Sequence, residues 1–175
     1  MEIPAAAALS DLPADAVVDA LAPLFEGAPR FLRRLADARP IASDDDLFAS
    51  AREVAAAAPE AELIELLDAH PRIGADPAAM SDLSRDEQDD GLPSDDAVAQ
   101  ELADLNATYE QLFGFRYVVF VAGRPRAEIV PLMEVALRNE RDAELRRGVD
   151  DAIFVAADRL RVVRGADHGD GEADS

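Results

Sequence analysis

Only one stretch of the chain, Phe115 to Val121 (FRYVVFV), carries the β-branched and aromatic run typical of a strand. A strand needs partners for its backbone N–H and C=O groups, and no second such stretch exists to supply them. The chain is therefore expected to fold from helices, with this segment held extended among them. The helical signal is clear in front of it. Val98, Leu102, Leu105, Tyr109 and Leu112 recur at intervals of four, three, four and three, which is one face of a helix. Gly114 stands where a helix C-cap belongs, and Ser94 is the expected cap at the other end.

The remaining punctuation fits the same class. Ser10-Asp11-Leu12-Pro13 reads as a helix start, with Val17, Leu21 and Leu24 behind it. Glu26-Gly27-Ala28-Pro29 breaks that helix, and Phe31, Leu32 and Leu35 form a short second one that stops before Pro40. Ser43 followed by three aspartates opens a third, the acids suiting the positive end of its dipole. Pro59 opens a fourth, with Leu63, Ile64, Leu66 and Leu67 on it, and it stops at His70-Pro71. Residues 127–138 and 140–163 are expected to be helical, the latter as one long helix. The reading is an all-α, single-domain bundle over residues 1–163, followed by an acidic disordered tail over 164–175 rich in Gly and Asp.

Charge narrows the function. There are 37 acidic and 17 basic residues, a formal net charge of −20, which repels nucleic acid and anionic membrane surfaces alike. Every basic residue is Arg, which a GC-rich genome would also favour, but the acid excess points to a protein made for a salty cytoplasm, where ions screen self-repulsion. With no Cys there is no disulfide, no thiolate nucleophile and no Cys-held zinc. His70 and His168 are the only histidines, and no metal site stands out. The N-terminus is too acidic for a signal peptide. No apolar run approaches the roughly 20 residues needed to span a bilayer. A soluble, cytoplasmic protein is expected.

The chemistry concentrates between Leu66 and Gln88, LLDAHPRIGADPAAMSDLSRDEQ. His70 ends one helix, Ser84 to Gln88 begins another, and a short Gly/Pro/Asp loop joins them. His70 is the only histidine in the body of the chain and hence its readiest proton carrier near neutral pH. Read from the residues alone, His70 could equally be a cation at a helix C-terminus. Ser84 and Glu87 likewise read as a capping box, and Arg159 as a solvated charge.

The motifs together carry more. LLDAHPRIG, Ser84-x-x-Glu87-Gln88, Leu24-Phe25-Glu26 with Pro29 and Arg39-Pro40, and Leu105-Asn106-x-x-Tyr109 running into Phe113-Gly114-Phe115 resemble, in order and spacing, the OHCU decarboxylases. OHCU is 2-oxo-4-hydroxy-4-carboxy-5-ureidoimidazoline, a late intermediate of urate breakdown. Glu144 and Arg159-Leu160 also match. There are departures: Arg30-Phe31 where the family has Trp after the proline, Ile41 where it has Phe, and Arg116-Tyr117 in place of Pro-Phe.

The resemblance implies an all-α bundle of about eight helices, with one extended segment near 115–121. It implies decarboxylation of OHCU to (S)-allantoin, without cofactor or metal. His70 would be the acid/base and Glu87 would hold the ligand and the imidazole. Pro71, Ser84, Arg85, Asp86, Gln88, the backbone of Tyr117, Val118, Val119, Phe120 and Val121, and the Arg159 cation would bind the substrate. A homodimer is compatible with this picture. Two other readings fit the residues: a related cofactor-free enzyme on another ureido or imidazoline acid, and a non-catalytic helical interaction protein whose His70 and Glu87 are separate surface caps.

The charge makes a prediction of its own. The melting temperature should rise steeply from low to molar KCl as self-repulsion is screened. A melting temperature that does not move across the salt series would remove the halophilic reading.

Overall fold

The computed structural model describes residues 3–76, 80–88 and 95–169, the side chains of 87 and 166–169 excepted. These residues form nine helices and no strand: α1 (Ala6–Leu9), α2 (Ala14–Leu21), α3 (Pro29–Asp37), α4 (Asp44–Ala57), α5 (Glu60–Ala69), α6 (Asp82–Gln88), α7 (Asp96–Phe113), α8 (Arg126–Ala136) and α9 (Arg141–Gly169). None of the described helices is long and apolar enough to cross a membrane. The all-α reading holds, with one short turn of helix, α1, that the sequence did not announce.

Several ends lie where the punctuation put them. Ser43 caps α4 by accepting the Asp46 N–H. Gly114 ends α7 with φ +79°, a left-handed geometry that a side chain would strain. Others differ. Asp95 is the cap of α7, accepting from Ala97 and Val98 N–H, and Ser94 lies outside the described residues. Ser10 caps nothing: its hydroxyl donates to Ile41 C=O and accepts from Ile41 N–H, tying α1 to the segment after α3. α2 starts instead behind Pro13. α9 continues past Val163 to Gly169, because Arg164 pairs with Asp44 and donates to Pro4 C=O (3.2 Å), anchoring the helix across Gly165. The remainder of the expected tail, 170–175, lies outside the described residues.

One apolar core joins all the longer helices. Leu21, Phe25, Phe31, Leu32, Leu35, Leu66, Leu67, Leu102, Tyr109, Ile129, Met133, Ile153 and Ala156 are buried in it together. α3 packs against α2, α4 and α5, and α9 packs against α4 and α5. The α5–α9 contact is close: a Cβ on Gly148 would stand 3.2 Å from Leu67 Cδ1. α5 therefore lies directly against α9, with His70 at its C-terminal end.

Residues 116–121 run extended without a partner strand. Their backbone is held by side chains instead. Asp68 accepts the Arg116 N–H (2.9 Å), and Arg147 donates to Val118 C=O (2.9 Å). Arg147 lies over the Tyr117 ring, 4.8 Å from its centre, a favourable cation–π geometry. The Tyr117 ring in turn meets Tyr109 edge-on at 5.1 Å.

Arg147 is fixed by Glu144, a carboxylate with no exposure. Its Oε1 accepts from Arg147 Nη2 (2.6 Å) and Tyr109 Oη (2.7 Å), and its Oε2 from Asn139 Nδ2 (2.8 Å). Burial alone would raise this carboxyl's pKa, but the donors of Arg147, Asn139 and Tyr109 outweigh it and hold it below the usual range. Removing one member of a buried ion pair strands the other, so Glu144→Ala should cost about 3 kcal/mol in denaturant unfolding. A loss below about 0.5 kcal/mol, the size of a surface substitution, would show that the extended segment stands without this anchor.

Candidate active site

His70 is the C-cap of α5, in extended conformation (φ −72°, ψ 145°), because Pro71 disfavours a further helical turn. Its ring turns back into the protein and is 4 % exposed. Nδ1 lies 2.9 Å from Leu66 C=O. A carbonyl only accepts, so Nδ1 carries the hydrogen and the neutral ring keeps its lone pair on Nε2. Nε2 is buried and has no hydrogen-bond partner among the described residues.

Burial, then the neighbouring Arg159 charge, push the imidazole pKa down from 6.5 to about 4. At neutral pH the ring is therefore uncharged, which displaces the reading of His70 as a helix-terminal cation.

Nε2 is orphaned because the ring borders a pocket. Pro71, Ile73, Ser84, Gln88, Tyr117, Val118, Val119, Val121, Val155 and Arg159 line it with His70. The inner chamber is small, about 20 Å³, room for about one water. It shares Val119, Val121, Val155 and Arg159 with a larger cleft of about 480 Å³, where Asp86 and Phe120 join the lining. Arg85 lines neither space: it is exposed and pairs with Asp82 at 3.0 Å. Glu87 lies on α6, and its side chain is outside the described residues.

The loop after Pro71 is stitched to α6 and α7. Gln88 accepts the Gly74 N–H at 2.9 Å, and Asn106 donates to Ile73 C=O at 3.0 Å. Arg116, one of the two departures beside the extended segment, donates to His70 C=O at 2.6 Å and so fixes the backbone that carries the imidazole.

Ser84 does not start α6. That helix begins at Asp82, and it is Ser81 whose hydroxyl accepts the Ser84 N–H (3.2 Å). The capping-box reading of Ser84 therefore falls, and its hydroxyl is available inside. It accepts from Arg159 Nη2 (2.8 Å) and donates to Glu26 Oε1. Arg159 is 2 % exposed; it pairs with Glu26 at 2.9 Å and donates to Leu24 C=O at 3.2 Å.

Glu26 is the site residue that the motif reading left out, although it stands in the quoted Leu24-Phe25-Glu26 pattern. An acidic residue in a Gly/Pro turn reads as surface. Ser84 stands 58 positions from Glu26 and 75 from Arg159, so the three only meet once the bundle closes.

The comparisons with known proteins follow the same lines. The family model described as OHCU decarboxylase matches residues 10–161. A 2-oxo-4-hydroxy-4-carboxy-5-ureidoimidazoline decarboxylase of Halalkalicoccus jeotgali is 30% identical over 147 residues, 82% of each chain. Its namesake in Haloferax volcanii is 29% identical over 150 residues, 83% of this chain and 88% of that one. The uric acid degradation bifunctional protein PucL of Bacillus subtilis is 27% identical over 153 residues, and there the chain spans only 31% of the longer protein. A crystal structure of OHCU decarboxylase in the presence of (S)-allantoin superposes with a TM-score of 0.69 at 22% identity, covering 83% of this chain and 96% of that one.

The depressed pKa of His70 has a thermodynamic consequence. Between about pH 6.5 and 4 the unfolded chain binds a proton here that the folded chain refuses, so stability falls as pH falls through that window and is unaffected above it. From pH 7 to 4.5 this should remove roughly 2 kcal/mol from the parent that His70→Asn does not lose. Denaturant unfolding of both proteins at the two pH values measures it. Equal losses would mean that His70 titrates normally and the chamber is wetter than its lining suggests.

Proposed function

The chain belongs to the OHCU decarboxylase family, and from that premise we propose that it converts OHCU to (S)-allantoin and CO2 in urate breakdown, with His70 as the proton-transfer group. The observation that carries the reading is the buried, unpartnered His70 Nε2 at the wall of a chamber that Arg159 and the extended segment also line.

The chemistry asks little more. Loss of CO2 leaves an electron pair on the ring carbon that bears the hydroxyl. The adjoining imine takes up that pair and its nitrogen takes a proton from solvent, so the ring serves as the electron sink that a pyridoxal cofactor supplies elsewhere. The hydroxyl then loses its proton as it becomes a carbonyl, and the carbon bearing the ureido group gains one. A neutral imidazole suits both transfers: Nε2 accepts the first proton and returns one from a fixed side. Delivery from one side gives one hand of allantoin.

Arg159 would meet the substrate carboxylate, where its fixed charge and forked donors are useful. The substrate is larger than the inner chamber, so its ureido arm would extend into the adjoining cleft past Val119 and Val121. Glu87 would hold the ligand and imidazole, with Pro71, Ser84, Asp86, Gln88 and the backbone of 117–121 around them. A non-catalytic interaction protein would have had His70 as an exposed cap, and its burial weighs against that reading.

His70→Asn should slow formation of (S)-allantoin by about 10²–10⁴-fold, the usual contribution of a general acid–base group. The assay is optical: circular dichroism on freshly generated OHCU, since the spontaneous reaction gives no handedness. A variant that still makes (S)-allantoin near the parent rate would exclude His70. A folded parent that leaves OHCU to its racemic background would exclude the activity.

A further inference from the structure

Glu26 is held in a way that its position in the chain does not explain. It lies in the α2–α3 connection with φ +51°, a left-handed conformation that costs a non-glycine residue about 1 kcal/mol or more. Gly27 follows at φ +93° and donates to Ala22 C=O at 2.9 Å, closing the turn. The turn directs the Glu26 carboxylate inward, where 13% of the side chain stays exposed.

One oxygen does most of the holding. Glu26 Oε1 accepts from Ser81 Oγ (2.8 Å), from Ser84 Oγ and from Arg159 Nη2 (2.9 Å). Ser84 and Arg159 both line the His70 chamber, whereas Glu26 is absent from its lining. Glu26 instead borders a surface cleft on the other side, with Arg30, Glu65 and Asp68. Burial alone would raise the carboxyl's pKa, but the donors of Ser84, Arg159 and Ser81 outweigh it and hold it below the usual range, so it is an anion at neutral pH.

Decarboxylation gives such a counter-charge a use. Negative charge sits on the substrate carboxylate in the ground state and leaves it for the ring in the transition state. A cation that grips the carboxylate fully would stabilise the ground state more than the transition state and so slow the chemical step. We propose that Glu26 is a positioning residue for this reaction: it holds Arg159 and Ser84 in the chamber wall and, as a counter-charge, limits how tightly Arg159 grips the substrate carboxylate. This rests on the decarboxylase reading above.

Glu26→Gln tests it, because the amide keeps the shape and an acceptor oxygen but loses the charge. KM and kcat for OHCU should both fall, KM by about fivefold and kcat by at least as much, a split that loss of structure alone would not give. Glu26→Asp keeps the charge but draws it back by one methylene, and should move both constants the same way by less. It serves as the folded variant if the amide does not fold.

A binding measurement separates this inference from the reading it rests on. Calorimetric titration with diureidoacetate, a stable ureido carboxylate, should show about fivefold tighter binding to Glu26→Gln than to the parent, whether or not the parent turns over OHCU. Unchanged or weaker binding, or a KM that rises in Glu26→Gln, overturns the proposal. A parent inactive on OHCU overturns the decarboxylase reading, and the titration still decides the role of Glu26.

Discussion

An extended segment with no neighbouring strand must find other partners for its backbone, and the architecture around residues 116–121 answers that need. The partners are side chains. Asp68 at the end of α5 takes the Arg116 N–H, Arg147 on α9 reaches Val118 C=O, and Arg124 reaches back to Phe120 and Val121 C=O. Arg147 can do this only because Glu144 holds it, and Glu144 is itself fixed by Tyr109 and Asn139. The buried ionic cluster therefore does more than add stability. It fixes the wall opposite His70 without a sheet, and it leaves other backbone groups of the segment free of any regular ladder.

A second buried ionic group, Glu26 with Ser84 and Arg159, does similar work on the other wall. The two groups share a pattern: an arginine of α9, a buried or half-buried carboxylate, and a bond from each arginine to a backbone carbonyl of another segment. In a chain with net charge −20 this keeps two arginines inside, each balanced by its carboxylate, and Arg159 lines the chamber. The anionic substrate proposed above would meet repulsion at long range, which salt screens, and the Arg159 donors only at contact.

What the sequence made legible was local or periodic. The α7 stripe as far as Tyr109, the Ser43 and Gly114 caps and the stop at Pro71 depend on neighbours within a turn, and each is in place; Leu112, read on the same stripe, is 56% exposed, and Phe113, four residues after Tyr109, is buried instead. Where two capping residues stood close together, the local rule chose wrongly: Ser81 rather than Ser84 receives the N–H at the start of α6, and Asp95 caps α7. Serine and aspartate cap about equally well, so tertiary demand decides, and Ser84 is drawn inward by Arg159 and Glu26. The inward turn of His70 and the part played by Glu26 were beyond any local rule, since both depend on segments far apart in the chain. The motif order brought together residues that the fold places around one chamber, but it did not give their atom-level contacts.

The contact at Gly148 bears on how the site is gauged. His70 hangs from α5 and Arg159 projects from α9, and the two helices touch where Leu67 meets a residue with no side chain. The missing methyl acts as a spacer of zero thickness. It sets the gap between the imidazole and the guanidinium from a point that borders neither pocket. The spacing of these two side chains is thus machined into the core of the bundle, well away from its surface.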